Sequence, residues 1–518
     1  MQQADVHANF SADPAEREAQ LAAHPYTAYA AARRREQVLN PYFPIYHFCA
    51  PESTFNDPNG LCFWQGKWHL FYQAFPPETP IHWGHAVSDD MLHWRDLPYA
   101  LHPDKEQACW SGATLVEEER VIAIYYGNEY GIIVAESRDP LLLNWEKIGL
   151  IPKKPGQPYT VFDPCLWKEG DWYYALSGGR LPLAEGARDV RTEFLFRSRD
   201  LREWEYLHPF FKGGFDCLPD DDGARPYFWP IGDKHLLLHF SHKSGEKYLL
   251  GRYDRETQTL LGLRGGSFNT SGAACSGIGG VHAASATPDG HGGVVAVFNQ
   301  TEALKTEGFT QITGLPRRFT LCGPRMDELA CEPAPDVSSL RGDHLHIGEL
   351  ALPANTEVIL PGVRGNAMEL QLTLAPADNQ PTVDICLLRS NGREEAVHLL
   401  CYRQRGCRNY EHFEECGGWD GTPYDTVIAL DNTYASLTGE AVCRAPETGS
   451  FFLSPKEPLE LRIFLDKSLV EVFAGGRLCL SARAYPTRPD SLGVSLRSLG
   501  RDTALLRADA WKYDGGHF

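Results

Sequence analysis

Short apolar runs bounded by glycine recur through the first two thirds of the chain. Gly66–Tyr72, Arg120–Tyr126, Gly170–Leu176, Gly232–Phe240 and Gly292–Phe298 are dense in aromatic and aliphatic residues, and their starts lie 54, 50, 62 and 60 residues apart. Each run is too short for a helix of ordinary length and reads as a strand. A second element keeps pace with the first three: Ser88–Trp94, Ser137–Trp145 and Ser198–Trp204 each hold a Ser, an Asp and a closing Trp. A period of this length with several strands per unit is the signature of propeller blades, which bury their faces against neighbours. The pattern predicts a five-bladed β-propeller over residues 45–338. A β-sandwich with chance similarity is the weaker reading, because it leaves the shared Ser and Trp positions unexplained.

The pattern changes after the proline-rich stretch Glu332–Leu340, which reads as a linker. Glu369–Leu374 and Leu459–Leu465 alternate strictly, which places apolar residues on one face of a strand. Leu469–Phe473 and Arg477–Leu480 flank Ala-Gly-Gly and read as a hairpin. Residues 339–518 are therefore expected to form an antiparallel β-sandwich. Residues 13–37 are expected to be helical within an N-terminal arm spanning 1–44. Asp13-Pro14 is a helix start, His24-Pro25 a break, and Arg33-Arg34-Arg35 a cationic end suited to the helix dipole.

The totals narrow the function. A chain of 518 residues exceeds one ordinary core, and a net charge of −19 argues against nucleic acid and anionic membranes as partners. No apolar run is long enough for a transmembrane helix, and the N-terminus carries no signal-peptide pattern. The 14 cysteines include no C-x-x-C, so they read as reduced thiols of a cytoplasmic protein. Neither a metal nor another cofactor is expected, since paired ligand spacing is missing. Monomer and homodimer both stay open.

Candidate chemistry starts at Glu52–Gly60. Pro58 stiffens the backbone after Asp57, and Asn59-Gly60 reads as a turn between strands Ile45–Cys49 and Leu61–Trp64. Equivalent points of successive blades converge at one end of a propeller, and carboxylates recur there. Asp57 and Asp163, each followed by Pro, precede the glycine of their aromatic run by 9 and 7 residues, and Asp221 of the Asp220-Asp221-Asp222 cluster precedes its own by 11. Close carboxylates push one pKa up, giving the ionised and protonated pair that glycosidic cleavage requires. Trp64, Trp83, Trp110 and Tyr227-Phe228-Trp229 suit stacking on sugar rings, with blade packing as the alternative. For Trp94, Trp145 and Trp204 packing is preferred.

Phe55–Gly60, Phe71–Gln73, His82–Ala86, Trp110–Gly112 and Asp163-Pro164, with Leu465–Phe473 and Ala484–Pro486 further on, resemble glycoside hydrolase family 32, the β-fructofuranosidases. The resemblance covers nearly the whole chain after residue 45. It implies that Asp57 is the nucleophile on the anomeric carbon of fructose, and that Asp163 binds fructose hydroxyls and stabilises the transition state. It also implies that Asn56, Gln73, Trp83, Trp110 and Ser111 line the fructose subsite. The chain departs from the pattern twice. Phe162 stands where the family usually has Arg, and Ala224 stands where it usually has the acid/base Glu. The acid/base is therefore expected in the cluster, first at Asp221 and next at Asp222, with Asp216 a third candidate. The reading is a retaining β-fructofuranosidase acting on a small carbohydrate: sucrose, a sucrose derivative or a short fructooligosaccharide. A fructosyltransferase and a non-catalytic carbohydrate-binding propeller are the alternatives.

Overall fold

The computed structural model describes residues 9–52, 54–181, 190–211, 222–268, 280–301, 303–376, 380–406, 425–442 and 445–513. Asp216, Asp220 and Asp221 lie outside the described residues.

Two helices open the chain, α1 (Pro14–Ala23) and α2 (Pro25–Gln37). The Asp13 carboxylate caps α1 by accepting from the backbone of Ala15 and Glu16, and the break before Pro25 falls at His24. The basic end of α2 is not simply solvated. Arg34 is buried and grips Asp96 with two bonds of 2.9 and 2.8 Å.

Five antiparallel sheets follow. The first holds β1 (Phe55–Trp64), β2 (Lys67–Ala74), β3 (His82–Ser88) and β4 (Trp94–Leu101). The second holds β5 (Gly112–Val116), β6 (Val121–Tyr126), β7 (Gly131–Ser137) and β8 (Glu146–Pro152). The third holds β9 (Pro164–Glu169), β10 (Trp172–Leu181), β11 (Val190–Ser198) and β12 (Glu205–Pro209). The fourth holds β13 (Ala224–Ile231), β14 (Lys234–Ser241), β15 (Gly245–Asp254) and β16 (Thr259–Ser267). The fifth holds β17 (Val281–Pro288), β18 (Val294–Gln300), β19 (Ile312–Thr313), β20 (Arg317–Cys322) and β21 (Glu328–Pro333). The five apolar runs of the sequence are β2, β6, β10, β14 and β18, the second strand of each sheet. The first strands β1, β5, β9, β13 and β17 pack one against the next, and β17 also packs against β1.

The repeated Ser-to-Trp element is the turn between third and fourth strands. In the first and third sheets Ser88 and Ser198 accept from the backbone N–H three residues on, and Asp90 and Asp200 accept the next turn amides. The indole N–H of Trp94, Trp145 and Trp204 each donates to a carbonyl three residues earlier, at 3.1, 2.7 and 3.0 Å. These three tryptophans close turns and pack the sheets. Trp64, Tyr227, Phe228 and Trp229 are buried too and pack between sheets, so stacking of sugars on them is excluded.

Two local expectations fail. Ile45–Cys49 is not a strand, because the Asp466 carboxylate takes the backbone N–H groups of Ile45, Tyr46 and His47. Asn59-Gly60 is not a hairpin turn either. The whole Phe55–Trp64 stretch is one strand, with bulges at Asn56/Pro58 and Asn59/Cys62, and Gly60 (φ +49°) sits in the second bulge. The hairpin turn is Gln65-Gly66, both with positive φ.

From Arg341 onward the chain builds two larger sheets, of seven and six strands. Leu370, Leu372, Leu461, Ile463, Val383 and Ile385 meet in one buried cluster, as strict alternation demands. The hairpin Leu469–Ala474 to Leu478–Arg483 turns through Gly475 and Gly476, at φ +58° and +63°. No helix among the described residues is long and apolar enough to cross a membrane.

Candidate active site

Asp57 sits at the first β1 bulge. A bulge places two residues where the partner strand has one, and so re-aims a side chain. Asp57 Oδ2 accepts from Ser111 Oγ at 2.7 Å, from Gln73 Nε2 at 3.1 Å and from Arg225 Nη1 at 2.8 Å. Gln73 also donates to Ser111 Oγ at 2.8 Å, and Asn56 Nδ2 donates to Gln73 Oε1 at 2.9 Å. Oδ1 faces the His282 ring at 3.5 Å and has no hydrogen-bond donor among the described residues. Burial alone would raise this carboxyl. The charges of Arg225 and His282 and the bonds from Ser111 and Arg225 overcome it and bring the pKa down to about 2.

Asp163 immediately precedes β9 and is buried, and its carboxyl has no polar partner among the described residues. Burial pushes it up to about 7, with Asp57 adding to the shift and Arg225 opposing it. The two carboxyls thus differ in protonation at neutral pH. Asp57 is ionised, and Asp163 is poised between its two forms.

Arg225 was not singled out in the sequence. It follows Ala224 at a bulge in β13 and adopts φ +54°, unusual for a residue other than glycine. Its guanidinium also reaches Asn59 Oδ1 at 3.2 Å, Ala284 O at 2.6 Å and the Pro58 carbonyl. A guanidinium therefore does serve the site even though Phe162 replaces the family's arginine; it arrives from the neighbouring sheet. Phe162 itself packs its ring edge-on against Tyr126 at 5.3 Å. Glu246 on β15, fully buried within electrostatic reach of Arg225 and Asp57, is pushed up to about 8 by burial.

The aromatic candidates divide. Trp83 is fully buried and donates its indole N–H to the Trp110 carbonyl at 2.7 Å, so it supports Trp110 from below. Trp110 is half-buried, and its own indole N–H has no partner among the described residues. Asp222 accepts from the His242 backbone N–H at 3.3 Å and from His242 Nδ1 at 2.7 Å, with Arg180 4.0 Å away. A cleft of about 610 Å³ runs outward from Phe162 and Asp222 and is lined by Lys153, Lys154 and Arg180. A second cleft of the same volume, lined by Arg264, Glu328 and Arg477, shares no residue with the carboxylate pair.

Away from this site, Asp384, Cys386 and His398 bring three donor atoms within 4.8 Å of one another on the outer face of the six-stranded sheet. Sequence spacing misses the group because Cys386 and His398 are cross-strand partners. His398 bonds Asp384 at 2.9 Å, and the Arg393 guanidinium lies 3.7 Å from the Cys386 sulfur.

A nearly all-β chain with two buried carboxyls, one held down and one raised, beside amide, hydroxyl and indole donors has the layout of a glycosidase. Family comparison agrees: Glycosyl hydrolases family 32 N-terminal domain matches residues 47–333, and Glycosyl hydrolases family 32 C terminal matches 336–512. The chain belongs to glycoside hydrolase family 32. It is similar to sucrose-6-phosphate hydrolase of Escherichia coli, 26% identical over 520 residues that cover 93% of this chain and 97% of that protein. Fructan 6-exohydrolase of Beta vulgaris is also 26% identical, covering 92% of this chain and 88% of the other. Among solved structures, fructan 1-exohydrolase IIa from Cichorium intybus shares the fold at a TM-score of 0.75 and 18% identity, over 92% of this chain and 98% of that one.

Proposed function

We propose that this chain is a retaining β-fructofuranosidase that uses Asp57 as nucleophile. The observation that carries the reading is the buried pair: Asp57 held down to about 2 with Oδ1 unoccupied by any donor, and Asp163 raised to about 7. Asp57 Oδ1 attacks the anomeric carbon of a bound fructosyl group and forms a fructosyl ester. Asp163 meets a fructose hydroxyl as its first polar partner. Asn56, Gln73, Ser111 and the Trp110 indole supply the remaining sugar contacts, with Trp83 fixing Trp110. Arg225 keeps Asp57 ionised between turnovers. Water then attacks the ester and releases fructose with its configuration retained.

The packing of β1, β5, β9, β13 and β17 in cyclic order supports a five-bladed propeller over 45–338, with a β-sandwich over 339–518 and a helical arm over 1–44. For the leaving group, the three cations of the Lys153–Lys154–Arg180 cleft favour a phosphorylated sugar over a neutral one. The test is fructose release from sucrose, sucrose 6-phosphate and 1-kestose, measured side by side. The expected order in kcat/KM puts sucrose 6-phosphate first. Fructose release from none of them would overturn the fructosidase reading; a preference for 1-kestose would overturn only the choice of leaving group.

A further inference from the structure

With Ala224 at the family's acid position, the reaction needs a proton donor from elsewhere. Asp222 is badly placed for that task. Its carboxylate accepts from the backbone and ring of His242, and Arg180 lies nearby. A carboxyl that accepts two N–H groups is engaged as an acceptor and is turned toward His242. Within the pair the imidazole has a second ring nitrogen to offer, and its pKa is raised by the bond to Asp222. Resting on the fructosidase reading, we propose that His242, held by Asp222, is the general acid and base of this enzyme.

Four observations carry the assignment. His242 follows the last residue of β14, and Asp222 lies two residues before β13, so the pair ties the entry of a first strand to the exit of a second. The same tie occurs at the same end of two other sheets, where Asn56 bonds Gln73 and the Phe162 N–H donates to Ser177 Oγ at 2.9 Å. These ties flank Asp57 and Asp163, so the dyad stands on the rim of that site. Second, a run of rings connects it to the nucleophile: His242 to Phe240 at 5.2 Å, Phe240 to His282 at 4.4 Å, and His282 to Asp57 at 3.5 Å. On its other side the His242 ring lies 6.5 Å from Phe162, next to Asp163. Third, the Asp222 bond uses Nδ1 and leaves Nε2 without a partner among the described residues. Fourth, the His242 side chain is 58% exposed, whereas Asp57 is 10% exposed. The leaving group departs toward solvent, and a proton donor belongs on that side.

In the first step Nε2–H passes its proton to the glycosidic oxygen as the bond to the anomeric carbon breaks and Asp57 Oδ1 forms the ester. The leaving sugar departs as an alcohol and the imidazole is left neutral. In the second step that imidazole takes a proton from the attacking water, Asp57 is released, and both groups return to their starting forms. The electrostatics suit the cycle. The hydrogen bond His242 donates to Asp222, with the charges of Asp222, Asp163 and Asp57, raises the His242 pKa above that of a free imidazole, against burial. His282 faces the same space and is itself held largely neutral, down to about 4, chiefly by burial, while Arg180 balances Asp222 from the opposite side.

The test uses the full-length enzyme with His242→Gln, His242→Asn, Asp222→Asn and Asp221→Asn. Both His242 variants should lose sucrose and sucrose 6-phosphate cleavage by ~10² to 10⁴-fold, the usual worth of a general acid. They should keep the single-turnover burst of fluoride from β-fructofuranosyl fluoride, whose leaving group needs no proton. Azide should then accelerate their turnover and yield fructosyl azide. Asp222→Asn should lower kcat on sucrose by less than the His242 variants do and move the basic limb of kcat/KM to lower pH, since it removes the partner that raises the imidazole. His242 variants that cleave the sugars within threefold of wild type, or an Asp221→Asn variant that alone shows the fluoride and azide signature, would overturn the assignment while leaving the fructosidase reading intact. A wild-type enzyme inert on every fructoside would remove both.

Discussion

At the scale of single residues, the contrast between Asp57 and Asp163 is set by their neighbours. Both are buried, and burial pushes both carboxyls up. Of the two carboxyls, only Asp57 is contacted by Arg225 and Ser111. Asp57→Asn should therefore lower sucrose turnover by a thousandfold or more, on the order seen when a catalytic nucleophile is lost. A variant that keeps a tenth of wild-type activity, with an unchanged circular dichroism spectrum, would rule out Asp57 as nucleophile. Arg225→Met should act through pKa. Without the guanidinium, burial raises Asp57, so the acidic limb of kcat/KM moves to higher pH. Arg225→Lys should restore part of the shift. An acidic limb that stays put in Arg225→Met would show that Arg225 does not set the charge of Asp57. The resemblance to the family singled out Asn56, Gln73 and Ser111, which bond within one network around Asp57. Arg225, His282 and His242 were not legible. They arrive from other sheets through bulges and strand ends, and no local pattern announces a side chain that crosses between sheets.

At the scale of elements, periodicity carried most of the information. The second strand of each sheet is the most apolar because it is covered on both faces, so the repeat of period 50–62 was visible. The Ser and Trp positions were visible because a turn recurs in three sheets, closed each time by the indole and capped by the Ser hydroxyl in the first and third and by the Asp139 carboxylate in the second. Alternation found strands of the two larger sheets, since one face of each meets the core. Pairing failed where backbone groups bond side chains instead of a neighbouring strand, as at Ile45–His47. It also failed at the β1 bulges, which turned an apparent turn sequence into strand. Gly60 tests the bulge directly. A Cβ there would lie 2.6 Å from Thr114 Cγ2, and φ +49° disfavours any side chain. Gly60→Val should destabilise the protein by about 2–4 kcal/mol through strain and overpacking together. A denaturant midpoint equal to wild type would mean that the bulge relaxes without cost.

At the scale of the whole molecule, the two halves are joined by a buried charged knot. His47, just ahead of β1, bonds Asp466 at 2.8 Å through Nδ1 and Glu471 at 2.9 Å through Nε2. Glu471 also accepts from the Leu315 backbone at 2.8 Å and from Ser481 at 3.1 Å, and Arg317 lies 3.5 Å away. Burial alone would lower the His47 pKa; the bonds to Asp466 and Glu471 reverse that and raise it to about 9. The folded pKa thus lies above the ordinary value near 6.5, and the folded state holds a proton that the unfolded chain releases sooner. The contribution is fully present below about pH 6.5 and is lost as pH rises through about 9. Stability between these limits should therefore fall with rising pH, and His47→Gln should flatten that slope. The variant leaves Asp466 buried without its cation and Glu471 with Arg317 alone, so it should also cost about 3–5 kcal/mol below pH 6.5. Urea unfolding of wild type and variant at pH 6 and pH 9 measures both effects. Glu246 complicates the comparison, because its pKa near 8 makes stability fall over an overlapping range. That slope is common to both proteins and cancels in their difference. A difference that does not change between pH 6 and pH 9 would mean that His47 binds its partners as a neutral ring, and that the two halves are held together by packing and uncharged hydrogen bonds.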